Sequence, residues 1–395
     1  MITEVRETFN AHFTADKFNS LLTGLDNKYG IHIPFRVAET PIFLPQSVKE
    51  QLILAGDEII RFLVRPDFMA LTDRAIPERY RVPHETRRPL FLAIDFALAD
   101  DGNGGVIPQL IELQGFPSLY AYQPELARNY RDVYEIDPAF TCLFSHQSEA
   151  AYADYLRTVL LNGYNPGEVI MLDLEPATQA TYVDFMATLE KTGIRPVGLE
   201  ELILRDKKLF YLHQGQEIRI RRIYNRVIFD ELERRKDLQL NFHLAEEAEV
   251  EWAGHPNWFY RISKFIMPYL KSRFVPDSWF LNDLEKLPPD LENYVLKPLY
   301  SFSGTGVVFN LTNQIISSLT DTENYILQKK VPYKPVIKSP DGLVKTEIRL
   351  MYIWEEGKDA PLLVTNLCRL SRGDMIGVKF NVNKTWVGGS VALFK

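Results

Sequence analysis

One stretch near the front of the chain admits a single local fold. Residues 90–114 read "LFLAIDFAL", then "ADDGNGGVI", then "PQLIELQ". Two apolar runs enclose a cluster of Asp, Gly and Asn, which is the composition of a tight turn between antiparallel strands. Asp100 and Asp101 belong to that turn. Within the strands, alternation puts Glu112 and Gln114 on one face, and Asp95 opposite them across the hairpin.

A second stretch, "NYVLKPLYSFSGTGVVFN" at 293–310, reads as strand, flexible loop and strand. Lys297 stands in an apolar run just before Pro298. Gly304 and Gly306 leave the loop backbone free to approach a phosphate. Around these two stretches the chain divides into three. Residues 1–150 are mixed and include an amphipathic helix in "SVKEQLILAGDEIIRFLV"; "SEAAYADYLRTVLLNG", at 148–163, reads as a helix ending at glycine. Residues 151–254 carry strand, helix and strand from Glu168, a βαβ pattern, then a hairpin turning at "HQGQ". Residues 255–395 open on a helical stretch, "NWFYRISKFIMPYLKSRF", and continue as antiparallel strands. At 395 residues the chain exceeds what one compact core accommodates.

Charge narrows the classes of partner. With 45 basic and 52 acidic residues the net charge is −7, which supports no nucleic-acid or anionic-membrane surface. No apolar run has the length to span a bilayer. Cys142 and Cys368 cannot frame a chain of this size with disulfides, so a reducing compartment is expected. The opening "MITEVRETFNAHF" has no basic segment before an apolar one, and a cytoplasmic protein is expected.

In order along the chain come a helical lysine, Lys264, then Lys297 with its glycine loop, then "YILQKKV" ending at Val331. Two lysines neutralise phosphate charge, a loop covers it, and a strand end offers main-chain hydrogen bonds to a purine. This order resembles the nucleotide-binding half of the ATP-grasp fold. The pattern at 168–226 resembles the domain that precedes it. The acidic residue and Glu-x-Asn pair of ordinary ATP-grasp enzymes are missing from this C-terminus. The hairpin at 94–115 resembles the Asp-Phe and Glu-x-Asn-Ala motifs of glutathionylspermidine synthase and its relatives, whose ATP-grasp fold is circularly permuted.

The resemblance implies a mixed α/β and α+β architecture with a nucleotide cleft between antiparallel β layers. It implies ATP held by Lys264, Lys297, the loop Ser303, Gly304, Thr305 and Gly306, and the strand end Gln328, Lys329, Lys330 and Val331. It implies Mg²⁺ on Asp95, Glu112 and Gln114, with Gln in the place of Asn the least secure of the three. Arg369 would contact the reacting phosphate. The activity implied is ATP-dependent ligation of a small-molecule carboxylate to an amine through an acylphosphate. The alternatives are a nucleotide-binding protein without catalysis and a phosphotransferase. Ala93 stands where the synthases carry their glutathione-binding arginine, so neither glutathione nor spermidine is expected. Glu347 and Arg349 alternate with apolar residues and are candidates to face the nucleotide. Arg221, Arg222, Asn225 and Arg226 form a basic cluster that either binds an acidic group or closes salt bridges. Trp386, Gly388 and Gly389 form either a closing loop or a turn.

Overall fold

The front hairpin forms as its turn chemistry dictates. In the computed structural model, which describes residues 1–301, 304–373, 376, 381 and 383–395, strands Phe91–Asp100 and Val106–Gln114 pair antiparallel. The Asp101 carboxylate accepts the backbone N–H groups of Asn103 and Gly105, each at 2.8 Å, and Asp100 accepts that of Gly102 at 3.0 Å. Gly102 and Gly104 take positive φ, 77° and 89°, which a side chain would disfavour. The register shifts between Asp95 and Phe96, so that Ile111 is the extra residue of a bulge.

This hairpin does not stand alone. Its first strand pairs antiparallel with the twelve-residue strand Gly342–Ile353. That strand pairs with Leu362–Ser371, which pairs with the short strand Gly388–Ser390. Strands from the two ends of the chain thus share one sheet, and most of their residues are buried. The ends are tied again where Ile42–Phe43 runs parallel to Ala392–Leu393.

The middle of the chain builds a separate parallel sheet. Val169–Asp173 and Arg195–Gly198 lie side by side, with helix Tyr182–Thr192 between them in sequence and Gly193 closing it at φ 79°. Arg222–Asn225 and Glu251–Ala253 complete the sheet. The expected hairpin around "HQGQ" is Lys208–His213 with Gln216–Ile220. A third sheet, antiparallel, joins Ser278–Phe280, Tyr325–Lys329 and Tyr294–Pro298. It has its own small core, with Leu296 and Leu327 at its centre, distinct from the continuous core that runs from Phe9 to Phe394.

Three expectations change. Residues 258–269 are not one helix but a single α-turn, Trp258–Arg261, followed by a 3₁₀ segment, Lys264–Tyr269. Ser263 between them is extended, its hydroxyl caps the Phe265 N–H, and Pro268 has no N–H to continue a ladder. Lys264 is therefore presented on a 3₁₀ turn. The partner strand expected in "GTGVVF" reduces to one bridge, Leu296 with Val308. Gly304 and Gly306, at φ 71° and 73°, turn the chain before a ladder can extend. Helices Thr3–His12 and Ala15–Tyr29 were not read within the mixed first ninety residues.

Candidate functional site

Lys297 leaves the three-stranded sheet and crosses to the front hairpin, where its Nζ donates to the carbonyl of Ile111 at 3.1 Å. The three-stranded sheet and the residues beside Glu112 are therefore in direct contact, across 186 positions of sequence. Lys264 Nζ donates to the Ser301 carbonyl at 2.6 Å. Both ammonium groups are buried. Burial, and after it the neighbouring Lys264 charge, pushes Lys297 down to about 8, against the opposing pull of Glu112 and Glu347. Burial likewise lowers Lys264. Two cations held in a low-dielectric region without full compensation favour a polyanion beside them.

A cavity of about 580 Å³ lies at this contact. Lys297, Gln328, Lys329, Lys330 and Val331 line it together with Ile111 and Tyr333. The lysine and the strand end singled out from the sequence thus meet in one cleft. The Gln328 amide is turned away to Ser278 Oγ at 3.0 Å, and Lys329 pairs with Asp277 at 2.9 Å. What this strand end offers the cavity is chiefly its main chain. Gly304, Thr305 and Gly306 do not line the cavity. Ser303 lies outside the described residues.

Beside the cavity the five-stranded row carries a compact charge cluster. Register places Asp95 opposite both Glu112 and Arg349, and Glu347 opposite Arg369. Asp95, 1% exposed, accepts two parallel hydrogen bonds from Arg349 at 2.6 and 2.8 Å and a further one from Arg369. Burial would raise its carboxyl, but Arg349 and Arg369 more than reverse this and hold it below the usual range. Glu347 is raised by burial despite Arg369 at 3.1 Å, and takes a hydrogen bond from the Tyr333 hydroxyl. Arg369 is tied to both carboxylates, which outweigh its burial and raise it. Tyr333 was missed in the sequence, where nothing in "VPYKP" distinguishes it.

The expected metal trio is close together but not equivalent. Asp95 has both oxygens engaged by guanidinium groups. Gln114 donates from Nε2 to Glu112 Oε1 at 3.1 Å, which fixes its amide and leaves Oε1 buried without a hydrogen-bond partner. The ranking is thus reversed from the expectation: Glu112 and Gln114 present oxygens, whereas Asp95 anchors arginines. Among the described residues no group of three His, Cys, Asp or Glu is arranged to hold a metal. A Mg²⁺ that takes most of its ligands from phosphate and water needs only one or two protein oxygens, and Glu112 with Gln114 fits that need.

The remaining candidates are structural. Arg222 pairs with Glu251 at 2.8 Å and donates to the Leu160 carbonyl, Arg226 pairs with Asp184 at 2.8 Å, and Arg221 lies 3.7 Å from Glu168. Asn225 caps the Val227 N–H. The basic cluster therefore closes salt bridges. Trp386 is buried against Phe13, and Gly388 and Gly389 form an edge strand rather than a loop or turn. At Gly388, φ is 127° and a Cβ would sit 2.4 Å from the Arg36 carbonyl, so only glycine fits.

The site and sheets define a mixed α/β protein with a cleft between two antiparallel layers. No family model matches the chain, and no curated protein matches it in sequence. Among solved structures, a glutathione synthetase-like effector from Globodera pallida, in its apo form, is similar in fold. The TM-score is 0.59 over 90% of this chain and 93% of that one, at 10% identity. The fold is thus related to that of a glutathione synthetase-like protein. No helix among the described residues is long and apolar enough to cross a membrane.

Proposed function

We propose that the protein is an ATP-dependent carboxylate–amine ligase of circularly permuted ATP-grasp fold. The observation that carries the reading is the reach of buried Lys297 from the lid sheet to the Ile111 carbonyl, beside Glu112 and a cavity of nucleotide size. In this reading residues 278–331 form the nucleotide lid, residues 91–114 and 342–390 form the opposing layer, and residues 151–254 form the preceding βαβ domain.

Main-chain groups at Gln328–Val331 bind the purine. Lys264 and Lys297 neutralise the phosphates, and the turn at Gly304, Thr305 and Gly306 closes over them when nucleotide is bound. The substrate carboxylate attacks the γ-phosphoryl group, forming an acylphosphate, with ADP the leaving group and remaining bound. The amine, having lost one proton to become the nucleophile, then attacks the acyl carbon, phosphate leaves, and the nitrogen gives up one further proton to solvent. Mg²⁺, held by Glu112 and Gln114, would supply charge neutralisation during phosphoryl transfer. Arg369, kept in place by Asp95 and Glu347, stabilises the developing charge on the transferred group. Exclusion of water protects the acylphosphate.

One observation favours a second reading, a nucleotide-binding protein without turnover: Asp95 is occupied by arginine. Glu112→Gln separates the two. It keeps size and shape but removes one charge from the phosphate end of the cleft. In a ligase, ATP consumption over a pool of carboxylates and amines falls at least a hundredfold, while affinity for Mg·AMP-PNP changes less than fivefold. That pattern marks an interaction made mainly in the transition state. Wild type that binds nucleotide yet consumes none over a broad pool supports the second reading.

A further inference from the structure

A second cavity, about 250 Å³, is lined by Glu112, Gln114, Arg349 and Arg369 but not by Lys297 or the strand end at 328–331. Its walls are apolar: Phe35, Leu119, Leu126 and Leu367. A dry cavity of about 150 Å³ already holds a benzene ring, so this one takes a phenyl or branched alkyl group with a short chain. Two glutamines are set into those walls beside the charged groups. Gln114 is 7% exposed and Gln123 2% exposed, and the Oε1 of each is buried with no hydrogen-bond partner. The Gln114 amide cannot simply turn over, because its Nε2 is spent on Glu112. Buried acceptors left unpaired call for a donor.

The charges point the same way. Three carboxylates, Asp95, Glu112 and Glu347, lie within 4 Å of Arg369, and two of them also lie within that distance of Arg349. Arg349 and Arg369 thus each have their counter-charges from the sheet itself. Arg36, the other cation on the wall, is already paired with Glu39. Each lining arginine is already paired with a carboxylate, so these walls offer an anion no free cation. Leu119 contributes its side chain from a left-handed backbone, φ 65°, held there by its N–H bond to Asp184 at 3.0 Å. Such strain is maintained where a side chain must point in one direction.

We infer that this cavity binds the amine substrate, and that the amine is a primary amine on an apolar group the size of a phenyl or branched alkyl chain. The inference rests on the ligase reading for the role of the cavity, though not for its chemistry. The amine donates an N–H to Gln123 Oε1, Gln114 Oε1 being the oxygen kept for Mg²⁺ in the ligase reading, and the apolar group fills the leucine-lined walls.

Three probes separate the two halves of this claim: 3-phenylpropylamine, 1,3-diaminopropane, which lacks the apolar group, and 3-phenylpropionate, which lacks the N–H donors. Affinities are measured by calorimetry on the full chain, with and without saturating Mg·AMP-PNP. 3-Phenylpropylamine is expected to bind at least tenfold more tightly than either other probe. Affinity equal to or below that of 1,3-diaminopropane or 3-phenylpropionate overturns the inference. Gln123→Leu should weaken 3-phenylpropylamine at least fivefold while Mg·AMP-PNP binds as before; unchanged amine affinity in the folded variant also overturns it. If that variant does not fold, the wild-type ranking decides alone. A preference for the phenyl amine with no nucleotide binding supports the cavity's assignment and removes the ligase reading. Nucleotide binding without that preference does the reverse.

Discussion

Lys297→Met is expected to weaken Mg·AMP-PNP binding at least tenfold and, at the same time, to stabilise the free protein at neutral pH. Both effects follow from one geometry. The ammonium is buried, and its partner is a neutral carbonyl of Ile111. A polyphosphate would exchange that contact for a charge-assisted one, worth about 1.5–3 kcal/mol. Without a ligand, burial and Lys264 hold Lys297 at about 8, well below its ordinary value of 10.5. At pH 7 the lysine is charged in both folded and unfolded chains, so the folded state carries the full cost. That cost is on the order of 3 kcal/mol. Between pH 8 and 10.5 the unfolded chain binds more protons than the folded one, and the cost is relieved as pH rises. Urea unfolding should therefore show the variant more stable than wild type at pH 7, with the gap closing by pH 10. Wild-type nucleotide affinity should fall as pH rises past about 8, because binding then requires proton uptake. Calorimetry showing equal affinity for both proteins would remove Lys297 from the nucleotide site.

Asp184→Ala is expected to cost about 3–5 kcal/mol of stability, the range for a buried pair broken by loss of one partner. Asp184 is fully buried on the helix Tyr182–Thr192. Its carboxylate accepts the backbone N–H groups of Leu119 and Ala121 at 3.0 Å and Tyr122 at 3.1 Å, and pairs with Arg226 at 2.8 Å. One side chain thus fixes the segment that follows the front hairpin onto the middle sheet. Removing it leaves three amides unpaired and one guanidinium short of its counter-charge. Arg226→Met in the same chain should recover part of the loss, because the orphaned cation is then gone. Urea denaturation of the two single variants and the double variant measures the coupling. A loss below about 1 kcal/mol for Asp184→Ala would show that this carboxylate does not hold the two parts together.

These two residues mark how far the sequence could be read. Lys297 was legible because a charge in an apolar run before a proline and a glycine loop is locally anomalous. The front hairpin was legible because Asp101 and the glycines encode their turn within five residues. Asp184 was not: an acid in the first turn of a helix is ordinary, and its partners lie more than 40 positions away in either direction. The arginine cluster at 221–226 stayed open between an acidic ligand and salt bridges for the same reason, since Glu251 and Asp184 supply its counter-charges from elsewhere. Asp95 was placed correctly opposite Glu112, but the arginines that occupy it arrive from 254 and 274 positions later. Alternation reveals which face a strand residue takes; it does not reveal the neighbouring strand's register. The helix expected over 257–274 failed on local chemistry that periodicity overlooks, the Ser263 cap and Pro268.

The most direct measurement is a crystal structure of the full chain with Mg·AMP-PNP. The account predicts the purine against the main chain of Gln328–Val331, the phosphates between Lys264 and Lys297, and the terminal phosphate within reach of Glu112. Nucleotide density elsewhere on the molecule, or an empty cleft at millimolar Mg·AMP-PNP, would contradict it.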